Sequence, residues 1–307
     1  MAALQDVLAQ PESADAGSTV ATEVVLECAG APVGSQFGGD MDAEDLVRGH
    51  YSGDNLEDVV TGALRAAGVD VDALRIEDLA GLDQLHAGFG PAAEHLLESL
   101  ALSPGITLLD VGCGIGGPAR MAAAHHGCRV TGIDLSPDFV DLARSLTERL
   151  GLASKVTFDV GSATDLPYAD GSFARAMLNH VGMNIADKAQ VFAEVRRVLE
   201  PGGLFAVYEQ MRTGDGELLY PLPWADDEAS SFVDTRQRYA ELLDSAGFTV
   251  EHDEDRTAAN AAGGPPSPGT LSPGVLFGPG FGERLGNNIA AAMAGTLGAV
   301  LMVARAV

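Results

Sequence analysis

The stretch that decides the fold reads Leu108-Leu109-Asp110-Val111-Gly112-Cys113-Gly114-Ile115-Gly116-Gly117-Pro118. The apolar run over residues 106–111 predicts a buried strand, and a helical pattern follows the glycines. Glycines at such a turn let the backbone approach a ligand closely, and the N-terminus of the next helix presents free N–H groups. The stretch therefore predicts a ligand-binding loop between a first strand and a helix.

Strands and helices continue to alternate on the C-terminal side of this loop. Further strands are predicted at residues 129–133, 156–160, 174–178, 204–208, 248–251 and 299–304. Helical patterns separate most of them, and Pro201, Gly202 and Gly203 predict a turn before the fifth strand. We expect an α/β fold: a Rossmann-like, seven-stranded, mostly parallel sheet with helices on both faces and an N-terminal helical cap.

Composition divides the chain into three parts. Residues 1–40 are rich in Ala, Gly, Ser, Asp and Glu and only weakly periodic, which predicts a disordered acidic tail. Apolar residues recur at helical spacing over residues 41–100, which predicts the helical cap. Residues 101–307 form the predicted α/β domain, in which residues 213–235 and 257–280 are expected to be loops on the substrate side or the surface.

The net charge limits the partners. The chain has 44 acidic and 18 basic residues, a formal charge of −26, and its only lysines are Lys155 and Lys188. Such a surface repels phosphates, so we expect no nucleic-acid partner. The apolar segment over residues 289–304 is shorter than a membrane span and contains glycines. It predicts a buried helix followed by a strand, and we expect no membrane association.

Cysteine usage indicates the compartment. Cys28, Cys113 and Cys128 are too few for a disulfide framework, so we expect free thiols, a reducing environment and a cytoplasmic location. A basic N-terminal region of the kind found in signal peptides is missing. The adjacent His125 and His126 cannot share a helix face, so no metal site is expected. No residue pattern fixes the oligomeric state, and a homodimer stays open.

Two acidic residues at strand ends narrow the choice of ligand. Gly112, Gly114 and Gly117 match the dinucleotide pattern G-x-G-x-x-G. However, a carboxylate at Asp110 would repel a pyrophosphate, whereas it would favour the ammonium and sulfonium of S-adenosylmethionine. Asp134, after the second strand, can accept the ribose hydroxyls of either cofactor. The loop therefore favours S-adenosylmethionine over NAD.

Four longer stretches carry a more specific pattern: LLDVGCGIGGPARMAA (108–123), GCRVTGIDLSPDFVDLAR (127–144), DLPYADGSFARAMLNHVGMNIADK (165–188) and EVRRVLEPGGLFAVYEQM (194–211). They resemble the successive motifs of class I S-adenosylmethionine-dependent methyltransferases. The similarity is strongest to the small-molecule branch that includes sarcosine/dimethylglycine N-methyltransferases. It covers residues 83–212 and continues more weakly to the C-terminus. It implies S-adenosylmethionine as cofactor and methyl transfer to a small-molecule acceptor, at a nitrogen or an oxygen.

The resemblance also implies roles for individual residues. Asp110, Gly112 and Gly114 would hold the methionine part, while Asp134 would bind the ribose. The other cofactor-side residues would be Gln84 in the pre-domain segment, Leu135, Ser162 and Ala163 around the adenine, and Asn179 beside the sulfonium. His180 would border the substrate as a candidate catalytic base. Apart from these roles, we expect His86, Asn184, Tyr208 and Trp224 on the substrate side.

The chain departs from the family pattern at two positions. The family often has Gly-Asp-Ala where this chain has Gly161-Ser162-Ala163, so a charge-assisted contact to the adenine is lost. The family's Phe-Asp before the fourth strand is Phe173-Ala174 here. The first departure bears on the role transferred to Ser162, and the second on the role transferred to Asn179.

Several alternatives stay open at this point. His180 could take a proton from the acceptor or could serve only packing and cofactor contact. Trp224 could line a pocket or anchor its loop. An NAD-dependent oxidoreductase and a catalytically silent S-adenosylmethionine-binding protein are the alternative functions. Titration with both cofactors distinguishes the oxidoreductase from a methyltransferase. Turnover with a panel of acceptors distinguishes the silent binding protein from an active enzyme.

Overall fold

The computed structural model describes residue 44 and residues 55–262, 271–278 and 280–307. The predicted tail at residues 1–40 lies outside the described residues. Of the predicted cap at residues 41–100, residue 44 and residues 55–100 are described. Seven strands form one sheet: β1 (Thr107–Val111), β2 (Arg129–Asp134), β3 (Val156–Val160), β4 (Phe173–Asn179), β5 (Leu199–Arg212), β6 (Phe248–Asp255) and β7 (Leu297–Ala306).

The sheet confirms the predicted architecture. Its strand order is β3-β2-β1-β4-β5-β7-β6. Strands β1 to β5 pair in parallel, and β7 runs antiparallel to both β5 and β6. The chain leaves β1 for β2 on one side and later returns to place β4 on the other. Ligands of open α/β sheets bind at such a switch point, outside the carboxyl ends of the strands.

Helices cover both faces of the sheet, and three of the described ones precede β1 in the chain. In the described residues they are α1 (Leu56–Ala66), α2 (Ile76–Leu79), α3 (Phe89–Ser99), α4 (Gly117–His125), α5 (Pro137–Arg149), α6 (Lys188–Val198), α7 (Arg236–Ser245), α8 (Thr257–Ala262), α9 (Gly274–Phe277) and α10 (Phe281–Met293), with a 3-10 turn at Gly182–Asn184.

Alternation along the strands produces a core on each face of the sheet. In β1, Leu108 belongs to one buried cluster and Leu109 to the other, because successive side chains of a strand point to opposite faces. Phe192 of α6 and Phe205 of β5 belong to the same cluster as Leu109. The strands are therefore fixed in register by burial on both sides, which also fixes the residues at their carboxyl ends.

The N-terminal helices pack on the glycine loop as well as on α5. Leu56, Val60 and Leu64 recur at four-residue spacing on α1 and are buried. They belong to a cluster that contains Phe139 of α5 and Ile115 of the loop. The helices before β1 therefore contribute to the position of the ligand-binding loop.

Three local predictions are wrong. The turn predicted at residues 201–203 lies inside β5 as an irregularity, because Phe173 pairs with Leu199 and Arg175 already pairs with Leu204. The segment predicted as a loop over residues 257–280 contains α8 and α9. Its alanines at 258, 259, 261 and 262 favour helix.

The third wrong prediction concerns α10, which was expected to be buried. Ile289 and Met293 are 38% and 52% exposed, and Ala291 is its buried residue. Alanines supply too little apolar surface on the other turns to draw the helix into the core. The strand predicted after it is present as β7. Among the described residues, no helix has the length and apolarity needed to cross a membrane.

Candidate functional site

The glycine loop between β1 and α4 is bent by residues in the left-handed region. Gly112, Gly114 and Gly116 have φ values of 71°, 52° and 83°, which residues with a Cβ rarely adopt. A Cβ on Gly112 would lie only 2.4 Å from Cγ2 of Val181. Glycine at position 112 therefore lets the loop pass directly beneath the segment that follows β4.

The Asp134 carboxylate holds the loop against the start of α5. Its Oδ2 accepts a hydrogen bond from the Gly114 N–H at 2.8 Å, and its Oδ1 accepts from the Ser136 N–H at 2.9 Å. Burial raises the pKa of Asp134, and these backbone N–H groups, with that of Leu135, oppose the rise. A carboxylate has about four acceptor positions, so these two bonds leave capacity for the predicted ribose hydroxyls.

Two buried oxygens at the ends of adjacent strands have no partner among the described residues. Asp110 on β1 is 1% exposed and its Oδ2 accepts no hydrogen bond, and the same holds for the buried Oδ1 of Asn179 at the end of β4. Burial, and secondly the nearby Asp134 carboxylate, raise the pKa of Asp110 to about 8. Unpaired buried acceptors are costly, so this pair marks a place where a donor or a cation would be stabilised.

The predicted pre-domain residues lie beside the ends of β4 and β5. Nε2 of His86 is 3.0 Å from Oε1 of Gln84. The ring centroids of His86 and His180 are 5.9 Å apart, and those of His180 and Tyr208 are 4.8 Å apart. The Tyr208 hydroxyl donates to the Ala87 carbonyl at 3.0 Å. The structure thus brings these four predicted side chains into one cluster.

His180 is held by the backbone on both sides of its ring. Its Nδ1 is 3.0 Å from the Tyr208 carbonyl and therefore carries the proton, while its Nε2 accepts from the Ala87 N–H at 3.2 Å. Its own φ of 56° is left-handed, a strained conformation for a non-glycine residue. Burial and the neighbouring His86 lower the pKa of His180 to about 3. To act as a base, His180 must exchange the Ala87 contact for a substrate proton.

Ser162 follows β3 and hydrogen-bonds to a residue far away in the sequence. Its Oγ donates to Oε1 of Glu44 at 2.5 Å, and Oγ1 of Thr164 lies 3.3 Å from the same oxygen. Ala163 is half-buried against the core. Glu44 was not predicted as a site residue, because helical periodicity is the only signal around it in the sequence.

The remaining predicted residues lie in different surroundings. Asn184 is buried in the 3-10 turn that follows His180, so it lies near this end of the sheet. Trp224 is 4% exposed and packs in a separate cluster with Met183, Leu222, Ala225, Ala291 and Leu297. Its Nε1 donates to Oγ of Ser231 at 3.0 Å. Of the two interpretations left open for Trp224, these contacts favour the loop anchor.

Glu209 follows Tyr208, and the sequence places both at this edge of the sheet, where Glu209 could also be a solvated strand end. It is fully buried, and its Oε1 accepts from the Val181 and Gly182 N–H groups at 2.9 Å each. Burial raises the pKa of Glu209 to about 7. The carboxyl group therefore positions the segment after His180, which covers Gly112. In the described part of the chain, no group of three or more His, Cys, Asp or Glu residues is arranged to hold a metal ion.

Part of the chain is similar in sequence to known methyltransferases. Residues 109–207 match a family described as "Methyltransferase domain". Sterol 24-C-methyltransferase ERG6B of Gibberella zeae is 32% identical over 174 residues, which cover 54% of this chain and 45% of that protein. The chain spans less than half the length of the curated relatives that it matches first.

Solved structures share the fold over most of the chain. The [4+2]-cyclase SpnF aligns with a TM-score of 0.62 and 22% identity, covering 86% of this chain and 96% of that one. A geranyl diphosphate methyltransferase in complex with SAM aligns with a TM-score of 0.58 and 26% identity, covering 71% and 85%. The sheet and the helices around it therefore follow an arrangement already seen in other proteins.

Proposed function

We propose that the chain, whose residues 109–207 match a family described as "Methyltransferase domain", is a class I S-adenosylmethionine-dependent methyltransferase that transfers the methyl group of S-adenosylmethionine to a small-molecule acceptor. The unpaired Oδ2 of the buried Asp110 carboxyl, beside the glycine loop, is the observation that carries the proposal. A buried acceptor in this position suits the ammonium group of the cofactor and disfavours a pyrophosphate.

The other residues of the site fit the same ligand. The unpaired Oδ1 of Asn179 offers a further acceptor at the end of β4, the strand that pairs with β1. Asp134 keeps acceptor capacity for the ribose while it fixes Gly114. The loop at Gly112 has no room for a side chain under Val181, so the backbone itself would face the methionine part. These features support S-adenosylmethionine over NAD.

The protein's contribution to the reaction would be alignment. S-adenosylmethionine, when bound, supplies a methyl group that its sulfonium already makes electrophilic. Holding acceptor and methyl group in line can contribute ~7–11 kcal/mol to lowering the barrier. His86, His180 and Tyr208 would form a wall on the acceptor side, and the contacts of Ala87 with His180 and Tyr208 would keep that wall closed to water. Proton removal by His180 would be secondary.

The acceptor is proposed to be a small molecule in a cytoplasmic setting. The formal charge of −26 disfavours a nucleic-acid substrate. The relatives and structural neighbours include proteins named for sterol and geranyl diphosphate methylation. We infer only the broad class from these names. The acceptor atom would be set by the surroundings of Tyr208 and Asn184.

Calorimetric titration of the full chain with S-adenosylhomocysteine and, separately, with NAD tests the cofactor. We expect micromolar or tighter binding of S-adenosylhomocysteine and no measurable binding of NAD. Micromolar NAD binding without S-adenosylhomocysteine binding would contradict the proposal. Turnover of labelled S-adenosylmethionine with a panel of small amines, alcohols and isoprenoids then separates an enzyme from a silent binding protein.

A further inference from the structure

Glu44 lies where the adenine end of the cofactor site is expected. The resemblance implies that residue 162, after β3, contacts the adenine amino group, and the family often has an aspartate there. This chain has Ser162, which lacks the carboxylate. In the structure a carboxylate nevertheless lies beside residue 162, because Oε1 of Glu44 is 2.5 Å from the Ser162 hydroxyl oxygen.

The hydroxyl of Ser162 is already used within the protein. It donates to Glu44, its oxygen accepts from the Thr164 N–H at 3.1 Å, and it lies 2.7 Å from the Thr164 hydroxyl. A hydroxyl offers one donor and two acceptor positions, so these three contacts occupy it fully. Because the proton of the Thr164 hydroxyl then points to Ser162, Glu44 receives its hydrogen bond on Oε1 from Ser162, with the Thr164 oxygen 3.3 Å away. A carboxylate has about four acceptor positions, so Glu44 keeps acceptor capacity for a further donor.

The Glu44–Ser162 pair lies close to the predicted ribose site. Gly161 N–H donates to the Asp134 carbonyl at 2.9 Å, so residues 161 and 162 lie next to the predicted ribose site. A nucleoside held at Asp134 would extend its base toward the end of β3. A carboxylate accepts hydrogen bonds and cannot donate when ionised. It would therefore favour a base with an exocyclic amino group over one with an oxo group.

We propose that Glu44, from the segment before α1, accepts the hydrogen bond of the adenine 6-amino group and takes over the role that an aspartate at position 162 has in related enzymes. This rests on the proposed function, because it assumes that the nucleoside of S-adenosylmethionine occupies the site. Its consequence is that residues outside the α/β domain complete the cofactor site. Selectivity for adenine then depends on a contact across 118 positions of the sequence.

The test compares two ligands that differ only at position 6 of the base. Affinities for S-adenosylhomocysteine and for S-inosylhomocysteine, which has an oxo group there, are measured by calorimetry on the full chain and on Glu44→Ala and Glu44→Gln. A charge-assisted hydrogen bond corresponds to roughly tenfold to a hundredfold in affinity. Glu44→Ala should weaken S-adenosylhomocysteine by about this factor. Glu44→Gln should reduce or invert the preference for adenine, since its amide can donate to the oxo group.

Two further variants complete the design. Glu98→Gln removes an exposed carboxylate on α3 and is the matched control, with no expected change. Adding Ser162→Asp to Glu44→Ala places a carboxylate back at the family position and should restore both affinity and preference. The ratio of the two affinities is independent of the folded fraction, so it stays informative if a variant is less stable.

The outcomes separate the two proposals. If the wild-type chain does not bind S-adenosylhomocysteine, the proposed function fails. If the wild-type chain binds it, but both Glu44 variants keep affinity and preference within twofold, the role of Glu44 is overturned while the function stands. A lost preference in the Glu44 variants, with recovery in the Ser162→Asp double variant, supports the inference.

Discussion

At the scale of single residues, Asp110 combines burial with an oxygen that has no hydrogen-bond partner among the described residues. Its pKa of about 8 means that the carboxyl group is largely protonated at pH 7 in the ligand-free protein. A ligand that brings an ammonium to Oδ2 would favour the ionised form and lower this pKa. Binding and proton release are then coupled.

We predict that S-adenosylhomocysteine binding at pH 7 releases a proton from Asp110. Because the ionised form binds better, the affinity should rise with pH, by up to ~tenfold per unit between pH 6 and 8, and level off above the pKa of 8. Calorimetry in two buffers of different ionisation enthalpy measures the released proton. Asp110→Asn should bind weakly and without proton release. A wild-type affinity that is flat between pH 6 and 8 would refute the coupling.

At the scale of secondary-structure elements, the start of α4 is packed against the segment that precedes α3. A Cβ on Gly117, the first residue of α4, would lie 2.1 Å from the Asp83 carbonyl oxygen. That oxygen belongs to the backbone and cannot move away alone. On α1, by contrast, a Cβ on Gly62 would meet nothing within 4 Å.

The same substitution at these two glycines should therefore change stability in opposite directions. Gly117→Ala forces the backbone of Asp83 to move, at a cost of ~1–3 kcal/mol in the free energy of unfolding. Gly62→Ala, in an exposed position of α1, should stabilise by ~0.5–1 kcal/mol because alanine loses less conformational freedom in a helix. Urea unfolding of both variants measures the difference. Equal shifts would mean that the contact at Asp83 is not maintained in solution.

At the scale of the whole molecule, a buried ion pair joins the segment before α3 to the α/β domain. Nη2 of Arg120 on α4 is 2.9 Å from Oδ2 of Asp83, and the two side chains are 0% and 4% exposed. Nη1 of Arg120 also reaches Oγ1 of Thr147 on α5 at 3.3 Å. One guanidinium thus connects three parts of the fold.

Breaking this pair on one side should be far more damaging than removing both charges. Arg120→Met leaves the Asp83 carboxylate buried without its partner, which costs ~3–5 kcal/mol in the free energy of unfolding. Adding Asp83→Asn should recover part of this loss, because the isolated charge is then gone. Arg238→Met, in a half-exposed pair with Glu241, is the control and should cost less than ~1 kcal/mol. The comparison is made by denaturant unfolding, and a double variant no more stable than Arg120→Met would contradict the argument.

Local sequence patterns were sufficient for the succession of strands along the chain, the glycine loop and the acids at the strand ends. Apolar alternation and helical periodicity involve residues only a few positions apart, so they can be recognised in the sequence without knowledge of the fold. Asp110 and Asp134 could be placed for the same reason, because Asp110 lies at the end of one predicted strand and Asp134 directly follows another. The patterns also failed locally: position 202 lies within β5 because Leu199 before it and Leu204 after it both pair with β4.

Only the tertiary structure decided which side chains meet. His180 is tied to Ala87 across 93 positions, and Ser162 to Glu44 across 118. Trp224 packs against Met183 and Leu297 and not in a cluster with His180. Such contacts depend on how the segments before β1 and after β5 dock on the sheet, and docking follows from burial summed over many residues. The sequence by itself determined a sheet with a ligand loop, while the docked segments determined that His180 is held by the backbone and that Glu44 lies beside Ser162.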